Sequence, residues 1–394
     1  MTPRDIFFVS ATRTAIGTFG GTLKDTPVTE LASLVVKQAL LRSGVEAARI
    51  GHVVMGNVIP TSPQDIYLAR VAALQAGIPQ ETPAFNVNRL CGSGLQAIVC
   101  AAQTLRQGDA DVVIAGGAES MSRGPYILAD ARWGKRMGNA QAEDFMLAVL
   151  HDPLLGMHMG VTAENIADRC GISRADQDEL ALISQQRATR AIAKGYFLEQ
   201  ISPVSVKTRE GLIDFKRDEH VRSDISLEQL QQMKAVFRKD GSVTAGNASG
   251  LNDGAAALVM ATEQAVHEQN LKPIARLVSY AHAGVAPELM GLGPIPATRL
   301  ALARAGLTVA DLDVIECNEA FAAQACAVAR ELEFDSQRVN PNGSGISLGH
   351  PVGATGAILA TKAIYELQRS NGRYALITLC IGGGQGIAMI IERC

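Results

Sequence analysis

The 394-residue chain, 47% hydrophobic and 19% charged, has the balance of a globular protein long enough for two or three domains, each with a proper core. A net charge of -3 offers no global field that would recruit nucleic acid or an anionic membrane, so an anionic ligand must be held by a local site. Seven cysteines, an odd number with no CxxC pair, argue against a disulfide framework and a zinc site, and no apolar run reaches membrane-spanning length.

The opening, "MTPRDIFFVSATR", reads as a short apolar strand without the h-region or cleavage site of a secretory leader. The expectation is a cytoplasmic protein with reduced thiols. "ALLRSGVEAARIGHVVMGNV" (Ala39 to Val58) then reads as an amphipathic helix, a Gly stop, a short linker and an apolar strand. The same pattern returns in "ALARAGLTVADLDVIECNEA" (Ala301 to Ala320). Ala39, Leu40, Arg42, Gly44, Ile50 and Val53 face Ala301, Leu302, Arg304, Gly306, Leu312 and Ile315 at a constant offset of 262.

The repeat continues. "CGSGLQAIVCAAQTLRQGDADVVIAGG" from Cys91 and "HPVGATGAILATKAIYELQRSNGRYALITLCIGGG" from His350 each give a Gly-containing turn, a helix, a polar break and a buried strand. Apolar strands alternating with helices imply sheets covered on both faces. The expected fold class is α/β, with two pseudo-symmetric halves: residues 1–120, with a strand returning at about 248–270, and residues 271–394. Between them, residues 121–247 differ in composition. They hold the only tryptophan, Trp133, a charged helix in "SRADQDELALISQQRATRAIAKGYF", and the charge-rich stretch from Lys207 to Gly241. An insertion on a loop is where binding specificity is often placed; composition alone leaves a solubilising cover equally open.

Cys91 lies between an apolar stretch and a helical pattern. A thiol at a helix N-terminus sits beside free N–H groups, conditions that can lower its pKa; a buried structural thiol is the other reading. Cys100, in mid-helix, reads as structural. His350 occupies the matching turn of the second half, and equivalent turns of two symmetric halves can converge on one cleft, bringing a base within reach of the thiol. Cys380 ends a buried strand in "ITLCIGGGQGIAMII". A nucleotide-binding loop would need a helix after those glycines, and only the strand "IAMIIERC" follows; glycines beside a thiol can instead let N–H groups approach a carbonyl oxygen. Asn318 ends the repeated strand where the first half has Gly56, and either caps the next helix or turns its amide to the cleft.

Together, "NRLCGSG", "GGAESMS", "TAGNASGLNDGAAA", "NEAFAAQ", "NPNGSGISLGHPVGATG" and "CIGGGQG" resemble the thiolase family, from the first strand to the last. The resemblance implies a layered α-β-α-β-α core with an inserted loop domain. It implies acyl exchange between coenzyme A thioesters: Claisen condensation of an acyl-CoA with acetyl-CoA, and thiolysis of acetoacetyl-CoA and other 3-ketoacyl-CoAs. In that pattern Cys91 carries the acyl group, His350 activates it, and Cys380 moves the α-proton. His350 with a water held by Asn318 forms one oxyanion hole, and the N–H groups of Cys91 and Gly382 form another. Leu150, His158, Met159, Arg222, Phe237, Ala245 and Ser249 match positions around coenzyme A, while Met290, Ala320 and Phe321 match the acyl-pocket side. Gln229 stands where some relatives place a serine in the adenine-contacting helix. "SRGPYILADARWGKRMGNAQ" resembles the loop that builds a homotetramer, a dimer of dimers. No tightly bound cofactor, metal, nucleic acid or membrane is implied.

Three other readings compete. A β-ketoacyl synthase shares the duplicated fold but uses a Cys-His-His site, and this chain has a cysteine at the last motif and no histidine after His350. A catalytically silent acyl-CoA binder would lack one of the reacting groups, none of which is missing. A redox sensor built on paired cysteines is the third. Within the family, a longer-chain degradative 3-ketoacyl-CoA thiolase is the alternative.

Overall fold

Helices and strands alternate through the first half of the computed structural model, which describes residues 5–209 and 211–394, so that residues 1–4 of the first expected half lie outside it. This half runs β1 (Ile6–Arg13), α1 (Val28–Ser43), β2 (His52–Gly56), α2 (Leu68–Gln75), β3 (Ala84–Val87), α3 (Ser93–Gln107) and β4 (Val112–Ser120). The Gly stop read from the sequence is real: Gly44 closes α1 with φ 71°, a left-handed C-cap. After β4 the intervening segment contributes α4 (Met159–Cys170), α5 (Arg174–Ala193) and the short α6 (Leu227–Gln232). The chain then returns as β5 (Asn252–Thr262). The second half follows: β6 (Ala275–Gly284), α7 (Pro294–Ala305), β7 (Val314–Cys317), α8 (Ala322–Glu331), α9 (Thr355–Ser370), β8 (Tyr374–Ile381) and β9 (Gln385–Arg393).

The strands lie in the order β7-β8-β9-β6-β1-β5-β4-β2-β3. In the first half β1, β5 and β4 are antiparallel neighbours, and β4, β2 and β3 run parallel. The second half copies this: β6, β9 and β8 are antiparallel, β8 and β7 parallel, and Ile315 of β7 bridges in parallel to Val339 where β3 would stand. His52 and Val314, Ser93 and Thr355, and Val112 and Tyr374 each open equivalent elements 262 residues apart. The halves are joined edge to edge through Phe7–Arg276 and Phe8–Ala275, so one hydrogen-bonded path replaces two separate sheets. Pairing these first strands satisfies edge groups that would otherwise be exposed.

α3 and α9 pack against each other between the halves, α9 reaching both β5 and β8, while α1 and α7 cover the outer faces. The result is the expected layering of helix, sheet, helix, sheet, helix. A helix held between two sheets has no solvent face, and "TGAILATKAIYEL" is accordingly buried along nearly its whole length. Within that stretch Lys362 is 2% exposed and donates to Glu316 Oε2 at 2.7 Å. α5 has the opposite character. Its start is fixed by a capping box in which Ser173 and Asp176 satisfy each other's backbone N–H. Among the described residues, no helix is long and apolar enough to cross a membrane, and no group of three metal-ligating side chains converges.

Candidate functional site

Cys91 sits two residues before α3, in a turn stitched by its own side chains. Asn88 Oδ1 accepts the Leu90 N–H at 2.9 Å, while Ser93 Oγ accepts the Arg89 N–H at 2.8 Å and donates to Leu90 O at 2.7 Å. The turn forces Leu90 to φ 46°, a left-handed conformation that a branched side chain adopts only when its surroundings impose it. A turn fixed in this way holds the thiol in one place at the mouth of α3.

His350 is 5% exposed and lies in the turn before α9. The constant offset pairs Cys91 with Gly353, so His350 stands in the matching turn but three residues earlier than strict equivalence. Its Nδ1 lies 2.7 Å from Thr355 Oγ1, whose own proton goes to Pro351 O at 2.9 Å. The hydroxyl must then accept from Nδ1–H, which leaves the lone pair on Nε2. Nε2 is 3.4 Å from Asn318 Nδ2. Asn318 does not cap α8, which begins at Ala322 behind an extended Phe321; its amide faces the histidine, and its buried Oδ1 has no partner among the described residues.

Cys380 lies near the end of β8, fully buried, and the Cys91 thiol is close enough to add to the burial that pushes the Cys380 pKa well up. The Gly382 N–H and the N–H of Cys91 itself both approach the Cys91 sulfur. Those two donors lower its pKa, but burial and the nearby Glu119 outweigh them and push the thiol up to about 11. The lowering that a helix mouth leads one to expect is thus reversed, because the thiol packs against the apolar cluster of Val58, Met121 and Val352. Burial also pushes His350 down to about 4. The resting pair is a neutral thiol beside a neutral imidazole.

These groups open into a cavity of about 480 Å³. Its wall includes Cys91, His350, Cys380 and Gly382, together with Leu150, His158, Met159, Arg222, Phe237, Ala245, Ser249, Met290, Ala320 and Phe321. Every candidate read from the sequence is there except Asn318, which stands behind His350. The roof comes from the intervening segment. His158 stacks on Phe237 at 4.6 Å between centroids, and Phe237 meets Phe321 edge-on at 6.1 Å, so the cover is pinned to the second half by aromatic contacts. His158 Nδ1 accepts the Gly160 N–H at the mouth of α4, which puts its ring proton on Nε2. Arg222 makes no ion pair among the described residues, and its backbone N–H is tied to Gln185 Oε1. Gln229 is absent from the wall; it closes the capping box of α6 with Ser226.

Sequence reasoning passed over several groups. Met121, Leu147, Val149 and His220 also line the cavity. Burial and Arg222 push His220 down to about 4, so it is a neutral ring there. Thr355, which fixes the His350 ring, carried no signal beyond its place five residues after the histidine. Glu119, inside the quoted "GGAESMS", gave no hint of its partners because all of them are distant in sequence.

The comparisons with known proteins agree with this geometry. Residues 6–264 match the thiolase N-terminal domain family and residues 271–393 the thiolase C-terminal domain family. The chain is 61% identical to the beta-ketothiolase BktB of Cupriavidus necator over 99% of both chains. It is 46% identical to human mitochondrial 3-ketoacyl-CoA thiolase, over 99% of this chain and 98% of that one. A crystal structure of the human mitochondrial enzyme superposes with a TM-score of 0.98 at 46% identity, over 99% of both chains. A second, in complex with CoA, gives 0.96 at 46% identity over 99% of this chain and 98% of the other. Two domain matches that span the chain, a duplicated fold and a cavity holding two thiols and an imidazole lead to one conclusion: the chain belongs to the thiolase family.

Proposed function

We propose that the chain is a β-ketothiolase, an acetyl-CoA C-acetyltransferase that condenses an acyl-CoA with acetyl-CoA and cleaves 3-ketoacyl-CoAs with coenzyme A. One observation carries this reading: a single cavity gathers Cys91, His350, Cys380 and the Gly382 N–H.

In the synthetic direction, His350 Nε2 takes the Cys91 proton as the sulfur attacks the thioester carbonyl of the first acyl-CoA. The N–H groups of Cys91 and Gly382 receive the developing oxyanion. The thioester C–S bond breaks, coenzyme A leaves with the proton held by His350, and the acyl group stays on Cys91. A second acetyl-CoA then loses its α-proton to Cys380, whose own proton has first passed to His350 Nε2, from which the displaced Cys91 thiolate recovers it at the end of the cycle. The enolate oxygen accepts from that Nε2–H and from a water at Asn318, whose orphaned Oδ1 can take the water's other hydrogen. The enolate carbon attacks the acyl carbonyl, and the new C–C bond displaces Cys91 as thiolate. Thiolysis runs the same steps backwards, with Cys380 giving its proton to the enolate. The high pKa of Cys380 suits a group that must be an acid in that direction.

Residues 121–247 form the loop domain over coenzyme A in this reading. Pantetheine runs beneath His158, Phe237 and Phe321, past Ser249 and Ala245, with Arg222 supplying a cation toward the nucleotide phosphates. Leu150, Met159, Met290 and Ala320 bound the reacting end. The arm between the paired Tyr126–Ile127 and Glu143–Asp144 exposes Trp133 (89%) and Met137 (83%), an apolar tip that fits assembly into a homotetramer, and the cytoplasm is the compartment for free thiols.

Mass spectrometry of peptides after mixing the protein with acetyl-CoA tests the reading. An acetyl group on Cys91 is expected; acetylation at another residue, or none, overturns it.

A further inference from the structure

Glu119, the penultimate residue of β4, is fully buried, and the mechanism above does not use it. Its carboxylate accepts four N–H groups. Oε1 takes Asn57 Nδ2 at 2.9 Å and Ile59 N at 3.1 Å; Oε2 takes Val58 N at 3.0 Å and Gly353 N at 2.8 Å. Three donors belong to the loop after β2, and the fourth belongs to the turn that carries His350. Val58 and Val352, beside these contacts, both line the cavity. Burial and Asp253 push the Glu119 carboxyl up to about 8, yet all four of these partners are donors, and only the ionised form uses them all.

The His350 turn is pressed hard against the first half. A Cβ on Gly117 or Gly56 would come within 2.3 or 2.8 Å of Gly353 O, and one on Gly353 would lie 2.5 Å from Glu119 Oε2. The internal repeat gives this junction a meaning. At the offset of 262, Cys91 corresponds to Gly353 and Gly382 to Ser120. The two N–H groups that face the Cys91 sulfur, one from each half, therefore have a counterpart pair in Gly353 and Ser120. There, a side chain of the protein itself takes the Gly353 N–H.

We infer that Glu119 is a positioning residue: its carboxylate fills the second half's copy of the anion-binding turn and so locks the His350 turn where the imidazole can serve Cys91. A charge-assisted bond to a turn holds it more tightly than a neutral one, and the site needs the imidazole fixed before substrate arrives. Duplication of the fold thus produced two such turns, one kept open for the reacting oxygen and one closed by a built-in carboxylate.

The inference rests on His350 acting as base for Cys91, and its test separates the two. Alkylation of Cys91 by iodoacetamide and steady-state thiolysis of acetoacetyl-CoA are measured for the wild type, His350→Ala, Glu119→Gln, Gly353→Ala and Asn57→Ala. Glu119→Gln sets an amide against an N–H donor, whereas Gly353→Ala pushes the carboxylate off its partner without removing charge. In both, kcat is expected to fall about 10²-fold with KM for acetoacetyl-CoA unchanged, the cost of a misplaced catalytic group. Asn57→Ala removes one donor, lowers kcat several-fold, and decides the matter if the other two fail to fold. Wild-type kcat in the folded variants, or a loss confined to KM, overturns the inference. If His350→Ala alkylates like the wild type, it is the assignment of His350 as base that fails; if His350→Ala is impaired while the Glu119, Gly353 and Asn57 variants are normal, only the positioning role fails.

Discussion

His350 Nδ1 stands 2.7 Å from Thr355 Oγ1, and this contact decides which ring nitrogen carries the lone pair toward Asn318. Thr355→Val keeps the shape of the side chain but leaves Nδ1–H without its acceptor, so the ring can rotate or change tautomer. We expect kcat to fall roughly tenfold to a hundredfold, the usual worth of a positioned base, and Thr355→Ser to keep most of it. Steady-state rates for the two variants decide the point. A wild-type rate in Thr355→Val would mean that the tautomer is held by something else.

With Cys91 pushed up to about 11 and His350 down to about 4, the pair is neutral at pH 7. An acid whose pKa is raised stays protonated until the pH approaches that value, and a base whose pKa is lowered stays unprotonated well below neutrality. Between pH 7 and 10 the thiolate fraction therefore grows about tenfold per unit, and alkylation of the free enzyme by iodoacetamide should grow with it. An ion pair of thiolate and imidazolium would give a plateau from acid to neutral pH instead. Such a plateau, seen in the rate of inactivation without substrate, would refute the neutral pair.

How far the sequence spoke depended on whether a property was local. The helix mouth at Cys91, the Gly stop at Gly44 and the repeat were legible because each is written in a few adjacent residues or in a fixed offset. Side-chain direction was not: the offset of 262 sets Gly353 opposite Cys91 and His350 three residues earlier in the same turn, but which way the imidazole points is decided only in the fold. Of the two roles open to Asn318, the cap failed because α8 starts three residues later than that role requires. The low thiol pKa inferred from the helix mouth was reversed by apolar packing against Leu90, Met121 and Val352, which meet only in the fold. The stack of His158, Phe237 and Phe321 draws its members from three distant segments, and no periodicity announces it.

Cys380 and Cys91 share the cavity but carry different tasks in the proposed mechanism, so replacing one should separate the two chemical stages. Cys380→Ser retains the volume and loses most of the acidity. Acetyl transfer onto Cys91 should proceed near the wild-type rate, while condensation and thiolysis should drop about 10²- to 10⁴-fold, the range for loss of a general acid–base group. Burst-phase release of coenzyme A reports the first stage, and acetoacetyl-CoA formation the second. Normal turnover in Cys380→Ser would remove the proton-transfer role; loss of the burst would move Cys380 into the acylation stage.

The last prediction concerns what holds β7, and with it Asn318, in place. Glu316 lies two residues before Asn318 and is fully buried; burial pushes it up to about 7, against the pull of Lys362, whose Nζ also donates to Gly343 O at 2.7 Å. Glu316 Oε1 has no partner among the described residues, and Glu366 and Glu319 lie close enough to raise its pKa further. Removing the amine in Lys362→Met leaves this carboxyl buried without its cation. Breaking a buried pair from one side typically costs about 3–5 kcal/mol, and proton uptake by Glu316 places the cost toward the lower end at acidic pH. Replacing both partners, in Lys362→Met with Glu316→Leu, removes the desolvated charge altogether, so most of the loss should return. Urea unfolding midpoints at pH 8 and pH 6 measure both effects: the single variant should be weaker relative to wild type at pH 8 than at pH 6, and the double variant, with no carboxyl to titrate, should instead gain on the wild type as the pH rises through about 7. A double variant no more stable than the single one would mean that the pair organises β7 through its geometry, not merely its charge balance.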